Sequence, residues 1–174
     1  MFEPRYAWKR SLRERLSRRS ALTAAAAAFV LFYPIYTVVE SAITHGIHQT
    51  GNLLIVDMKA MSDFNMDQAN GATADIPRYY RDLDGKRVML AGEMWLPDTA
   101  SGPLDRFQLC YSISSCCFNG PPKVQHFVKA TVLPGHDVEF TQGIVNVVGT
   151  LHVGVERGDG LVKSVYRMDV EKVQ

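Results

Sequence analysis

Nineteen consecutive residues without a charge, Ala21 to Val39 (ALTAAAAAFVLFYPIYTVV), constrain this chain more than any other feature. At about 1.5 Å of rise per residue, a helix of that length nearly crosses the roughly 30 Å hydrocarbon layer of a bilayer. Arg5, Lys9, Arg10, Arg13, Arg15, Arg18 and Arg19 precede it, and no Lys or Arg follows until Lys59. That asymmetry predicts a cytoplasmic N-terminus. A cleaved signal peptide has a shorter apolar run and a small-x-small site, whereas this run ends in Val38-Val39-Glu40 with no Ala-x-Ala behind it, so an uncleaved anchor is expected. Pro34 removes one backbone donor inside the span, which a membrane helix tolerates where neighbours re-satisfy the freed carbonyl.

The flanks of the span carry two candidate contact surfaces. Trp8, Leu12 and Leu16 recur at four-residue spacing among the basic residues, so a helix there would present an apolar stripe to anionic lipid or to a cytoplasmic partner. The plainer reading is a positive-inside flank that snorkels to phosphates. Within the span, Ala24 and Ala28 belong to a small-residue face on which another membrane helix can approach closely. The expected layout is a basic cytoplasmic tail (1–20), a transmembrane helix (21–43), a connector (44–76) and a domain on the far side of the membrane (77–174).

In the connector, Leu53, Leu54, Ile55 and Val56 form one short apolar element. Met58, Met61, Phe64 and Met66 have roughly helical spacing, which reads as core packing before it reads as a soft-metal surface. Beyond Pro77 the pattern becomes short alternating runs between turn residues: 87–93, 106–113, 125–133, 144–153 and 161–170. These predict five strands, the last two forming a hairpin about Arg157-Gly158-Asp159-Gly160. Phe107, Leu109, Tyr111 and Ile113 are expected to share one face. With Gly92 and Gly149 inside strands, where a closed sheet must bend, the fold class is mainly β, a small five-stranded OB-like barrel, with a β-sandwich fragment as the alternative. Such barrels often bind single-stranded nucleic acid, but residues 76–174 carry eleven Lys or Arg against eleven Asp or Glu, and a charge-balanced domain lacks that electrostatic footprint.

One constellation could carry chemistry: Cys110 with Cys116 and Cys117, in LCYSISSCCFNGPP. A bridge between adjacent cysteines is strained, so the ordinary pairing in an oxidising compartment joins Cys110 to Cys116 or Cys117 and leaves one thiol over. The odd thiol fits a buried structural role, an intermolecular bridge, a soft-metal ligand or a redox site. Thiolates suit zinc or cuprous copper, yet there is no second Cys pair, and His126, His136 and His152 are not at zinc-finger spacing. A lone strand histidine is usually solvent-facing or hydrogen-bonded in place. No cofactor is required by the sequence, and no phosphate loop, nucleophile elbow, H-E-x-x-H helix or paired-carboxylate motif occurs. Catalysis is therefore not expected.

The succession Leu83-x-Gly85-Lys86-x-Val88-x-Leu90-x-Gly92, Pro97, Phe107-x-Leu109, Ser115-Cys116-Cys117-Phe118-x-x-Pro121, Val147-x-Gly149-x-Leu151-x-Val153 and Ser164-x-Tyr166 resembles a family of small bacterial anchored or exported proteins classed as a domain of unknown function. Over about the last hundred residues, the resemblance implies an extracytoplasmic barrel. Related members often have a single Cys followed by a His and a run of prolines, where this protein has Cys117-Phe118 and only Pro121-Pro122, which argues against a metal role here.

The leading functional expectation is a non-catalytic accessory or structural subunit, anchored by its helix among other integral membrane subunits and membrane lipid, whose periplasmic barrel caps a larger complex. The alternative is a metal- or ligand-binding module that uses the Cys116-Cys117 loop to serve a transporter or metalloprotein assembly. A thiol-disulfide enzyme ranks last, because the Cys-x-x-Cys spacing and helix N-terminus that lower a thiol pKa are absent.

Overall fold

The computed structural model describes residues 23, 26–40, 43–96, 102–114 and 122–174. The protein divides into two compact units, Met1–Ile43 and Thr44–Gln174. In the first, residues 26–40 form helix α1. Its apolar side chains are exposed all round, from 50% at Val39 to 69% at Val30 and Val38. No helix among the described residues is long and apolar enough to cross a membrane. The expected span 21–43 falls partly outside the described residues, and the part described is helical throughout 26–40.

The second unit is mainly β, built on a seven-stranded sheet. It opens with a hairpin, β1 (Ile47–Thr50) and β2 (Leu53–Val56), turned by Gly51 at φ 61°. Asp57 then caps α2 (Met58–Ser62), its carboxylate accepting from the Lys59 and Ala60 amides, so Met58 and Met61 swing into the core. Residues 44–76, which read from sequence as a connector with one element, thus supply two strands and a helix to this unit. The expected core packing of Met58 and Met61 is what the structure has, with Phe64 and Met66 partly buried against the same core.

After the short helix α3 (Arg78–Arg81) come β3 (Lys86–Trp95), β4 (Arg106–Cys110), β5 (Phe127–Val132), β6 (Ile144–Gly158) and β7 (Leu161–Val173). All five fall where alternation predicts strands. The boundaries differ: β3, β6 and β7 run on past the expected ends to Trp95, Gly158 and Val173, whereas β4 stops at Cys110, so Tyr111 and Ile113 lie beyond the strand, and β5 begins only after a single 3-10 turn, Val124–His126. Alternation continues in residue type past Cys110, but among the described residues no partner strand continues with it.

The order along the sheet is β1-β2-β3-β4-β5-β7-β6, and β6 pairs again with β3, so the last five strands form a closed ring of hydrogen-bonded neighbours. Within the ring only β5 and β7 run parallel. Val88, Leu90, Met94, Phe107, Leu109, Val128, Val147, Leu151, Tyr166 and Met168 fill its interior. At Gly149, beside a register shift, a Cβ would be driven into the Asp169 carbonyl.

Candidate functional site

Inward residues Phe107 and Leu109, Val128 and Ala130, and Tyr166 and Met168 fix the residues between them on the outer face of β4, β5 and β7. There a groove of about 810 Å³ runs across β4, β5, β7 and β6. Register sets its chemistry. Gln108 pairs with Lys129, Lys129 with Arg167, and Arg167 with His152, giving one transverse row; Arg106, Thr131, Asp169 and Thr150 form the next.

One ion pair and one histidine–carboxylate hydrogen bond tie these rows to the groove wall. Lys129 Nζ donates to Glu156 Oε2 at 2.9 Å, and His152 Nε2 lies 2.9 Å from Asp169 Oδ2. The hydrogen bond from Lys129 holds the Glu156 carboxyl below its usual range, and the charges of Lys129 and Arg167 add to it. The Arg167 side chain, in the middle of its row, makes no hydrogen bond among the described residues and is exposed to the groove. His152, a lone strand histidine by sequence, is thus hydrogen-bonded in place.

The cysteine region lies at the end of β4. Cys110 is fully buried, with Sγ 3.6 Å from the Glu93 carbonyl oxygen. The Glu93 carboxylate in turn accepts from the Ile113 amide, closing the strand end onto the following turn. Cys116 and Cys117 lie outside the described residues. Nearby in sequence, His126 has a buried Nδ1 without a hydrogen-bond partner among the described residues, and meets the Tyr111 ring edge-on at 6.0 Å. Burial, with the charge of Lys123, pushes its imidazole below the ordinary value. Among the described residues no group of three or more His, Cys, Asp or Glu could hold a metal ion. Of the other candidate contacts, Ala28 sits exposed on α1, while Trp8, Leu12, Leu16 and Ala24 are outside the described residues.

No family model matches this sequence, and no curated protein matches it. Among solved structures it is similar to a DUF3299 family protein from Pseudomonas aeruginosa PAO1, at 20% identity and a TM-score of 0.45, over 67% of this chain and 77% of that one. That neighbour carries the label of a domain of unknown function.

Sequence alone does not single out Lys129, Glu156, Arg167 or Asp169. Each is an ordinary polar residue at an outward strand position, and only the cross-strand register, parallel between β5 and β7, assembles them. The visible signal is the alternation in Val128-Lys129-Ala130-Thr131 and Tyr166-Arg167-Met168-Asp169, which marks an outward face without saying what stands opposite.

Proposed function

We propose that the protein is a membrane-anchored, non-catalytic accessory subunit, whose domain beyond the membrane is an OB-like barrel that engages its partner through the groove over β4 to β7. The observation that carries the anchor is the all-round exposure of apolar side chains on α1, with the uncharged residues 21–25 that precede it in sequence. A helix apolar on every face is stable only when lipid or other helices cover it. The OB-like reading rests on the closed order β3-β4-β5-β7-β6, antiparallel at every join except β5 to β7. The binding reading rests on a concavity of ligand-site size, lined by polar groups fixed on paired strands.

The test is to extract membranes with alkaline carbonate, solubilise the remaining pellet in a mild detergent, and measure the native mass and co-purifying proteins of the tagged full-length protein. Retention after carbonate and a stoichiometric complex, weakened by charge reversal at Lys129 and Arg167, are expected. Release by carbonate, or a bare monomer, would overturn the reading.

A further inference from the structure

We infer that the groove is a carboxylate-binding site, in which the Arg167 guanidinium is the principal anchor. The inference deepens the groove-binding reading above and rests on it. Its physical basis is an imbalance of donors, not of charge. The charged side chains lining the groove are balanced: Arg106, Lys129 and Arg167 against Asp105, Glu156 and Asp169. The donors are not equally engaged or equally placed: Arg106 stands 3.9 Å from the Asp105 carboxylate with its side chain 77% exposed. Lys129 is committed to Glu156 and His152 to Asp169, each at 2.9 Å. Arg167 lies between both pairs in register, opposite Lys129 on one side and His152 on the other. Its planar fork of five N–H donors makes no hydrogen bond among the described residues, although it is close enough to Glu156 to help keep that carboxylate ionised.

These two contacts have a second effect. By engaging the carboxylates of Glu156 and Asp169 elsewhere, they leave the Arg167 fork open for a ligand. Guanidinium matches a carboxylate or a phosphate bidentately. The choice between them follows from the groove's own anions: a ligand at Arg167 sits near Glu156 and Asp169, so a second negative charge is repelled where a single one is tolerated. A monoanionic carboxylate therefore fits better than a phosphate dianion. Gln108, one strand beyond Lys129 in the same row, adds an amide that can donate to the ligand's remaining polar atoms. The volume of about 810 Å³ admits either a free organic acid or the last residues of a peptide.

The full-length protein in detergent is titrated calorimetrically with N-acetyl-trialanine, its C-terminal amide, propionate and inorganic phosphate. Saturable binding of the acid peptide is expected, at least tenfold weaker for the amide and for phosphate, and at least tenfold weaker again in Arg167→Gln. Arg167→Lys, which keeps the charge and loses the fork, should fall between wild type and Arg167→Gln, while Arg78→Gln outside the groove binds as wild type does. Propionate binding as tightly as the peptide assigns the carboxylate to a small acid; tighter peptide binding assigns it to the C-terminus of a polypeptide. Undiminished affinity in Arg167→Gln, equal affinity for the amide, tighter phosphate binding, or no saturable binding overturns the inference. Because these titrations are made in detergent, a protein that binds no carboxylate yet withstands carbonate extraction with its partners refutes this inference alone. Release by carbonate overturns the anchored-subunit reading and leaves the carboxylate site standing.

Discussion

Two side chains show how single residues hold the second unit together. Tyr166 is fully buried, and its hydroxyl donates at 3.0 Å to the carbonyl of Met61, joining β7 to α2 across the core. Burial raises this phenol far above its ordinary value, so it stays a donor at every accessible pH. Tyr166→Phe leaves the Met61 carbonyl buried and unpartnered, and should lower stability by roughly 1–3 kcal/mol, read from the urea midpoint at unchanged slope. His126 works in the other direction. Its folded-state pKa lies below the ordinary 6.5, chiefly because burial penalises the cation. The unfolded state therefore binds the proton first as pH falls. Stability should be full above about pH 6.5, decline as pH drops through that value, and level off below the folded pKa. His126→Gln should flatten that decline in urea midpoints measured from pH 7.5 to 5; an unchanged slope would assign it to other groups. Neither role is legible in sequence, because both depend on what is packed over the residue.

At the scale of elements, what the sequence carries is periodicity, and what it lacks is partnership. Val88, Leu90 and Met94, or Val145, Val147 and Leu151, announce strands by alternation, and the structure has strands there. β1 escapes a periodicity reading because Ile47-His48-Gln49-Thr50 is four residues with one apolar member, although the two-residue Gly51-Asn52 loop ahead of Leu53 is a recognisable hairpin signal. Gly149 reads as a bend, and its reason is a close approach to the β7 backbone at a register shift. Gly149→Ala should cost roughly 1–3 kcal/mol, seen as a lower melting temperature with the β-sheet circular dichroism retained. Arg157 near the end of β6 donates to the carbonyls of Ala69, Asn70 and Gly71, at 3.1, 3.0 and 2.8 Å. These bonds pin an irregular segment that has few apolar contacts of its own. Arg157→Ala should accelerate amide hydrogen exchange in residues 66–72 while leaving β3 and β7 protected, since local opening there need not involve the core.

For the whole molecule, the decisive fact is where the buried apolar residues lie. Every member of the hydrophobic core falls between Val56 and Val170, inside the second unit, whereas the apolar residues of α1 are exposed. The second unit is thus stabilised by burying its own side chains, and the cover for α1 is what the proposed anchor would supply. Ring closure gives the second unit its own completion, because pairing β6 back to β3 satisfies strand edges within residues 86–173. Removing residues 1–43 should consequently leave a domain that unfolds in one cooperative step. Its urea slope and midpoint should match those of the domain transition of the full-length protein in detergent, with the shortened form recovered from the supernatant instead of the membrane pellet. The shared midpoint follows because none of the core contacts is deleted. A truncated form that melts without a cooperative transition would mean that the N-terminal unit covers part of the domain's apolar surface, and that the ring is not self-sufficient.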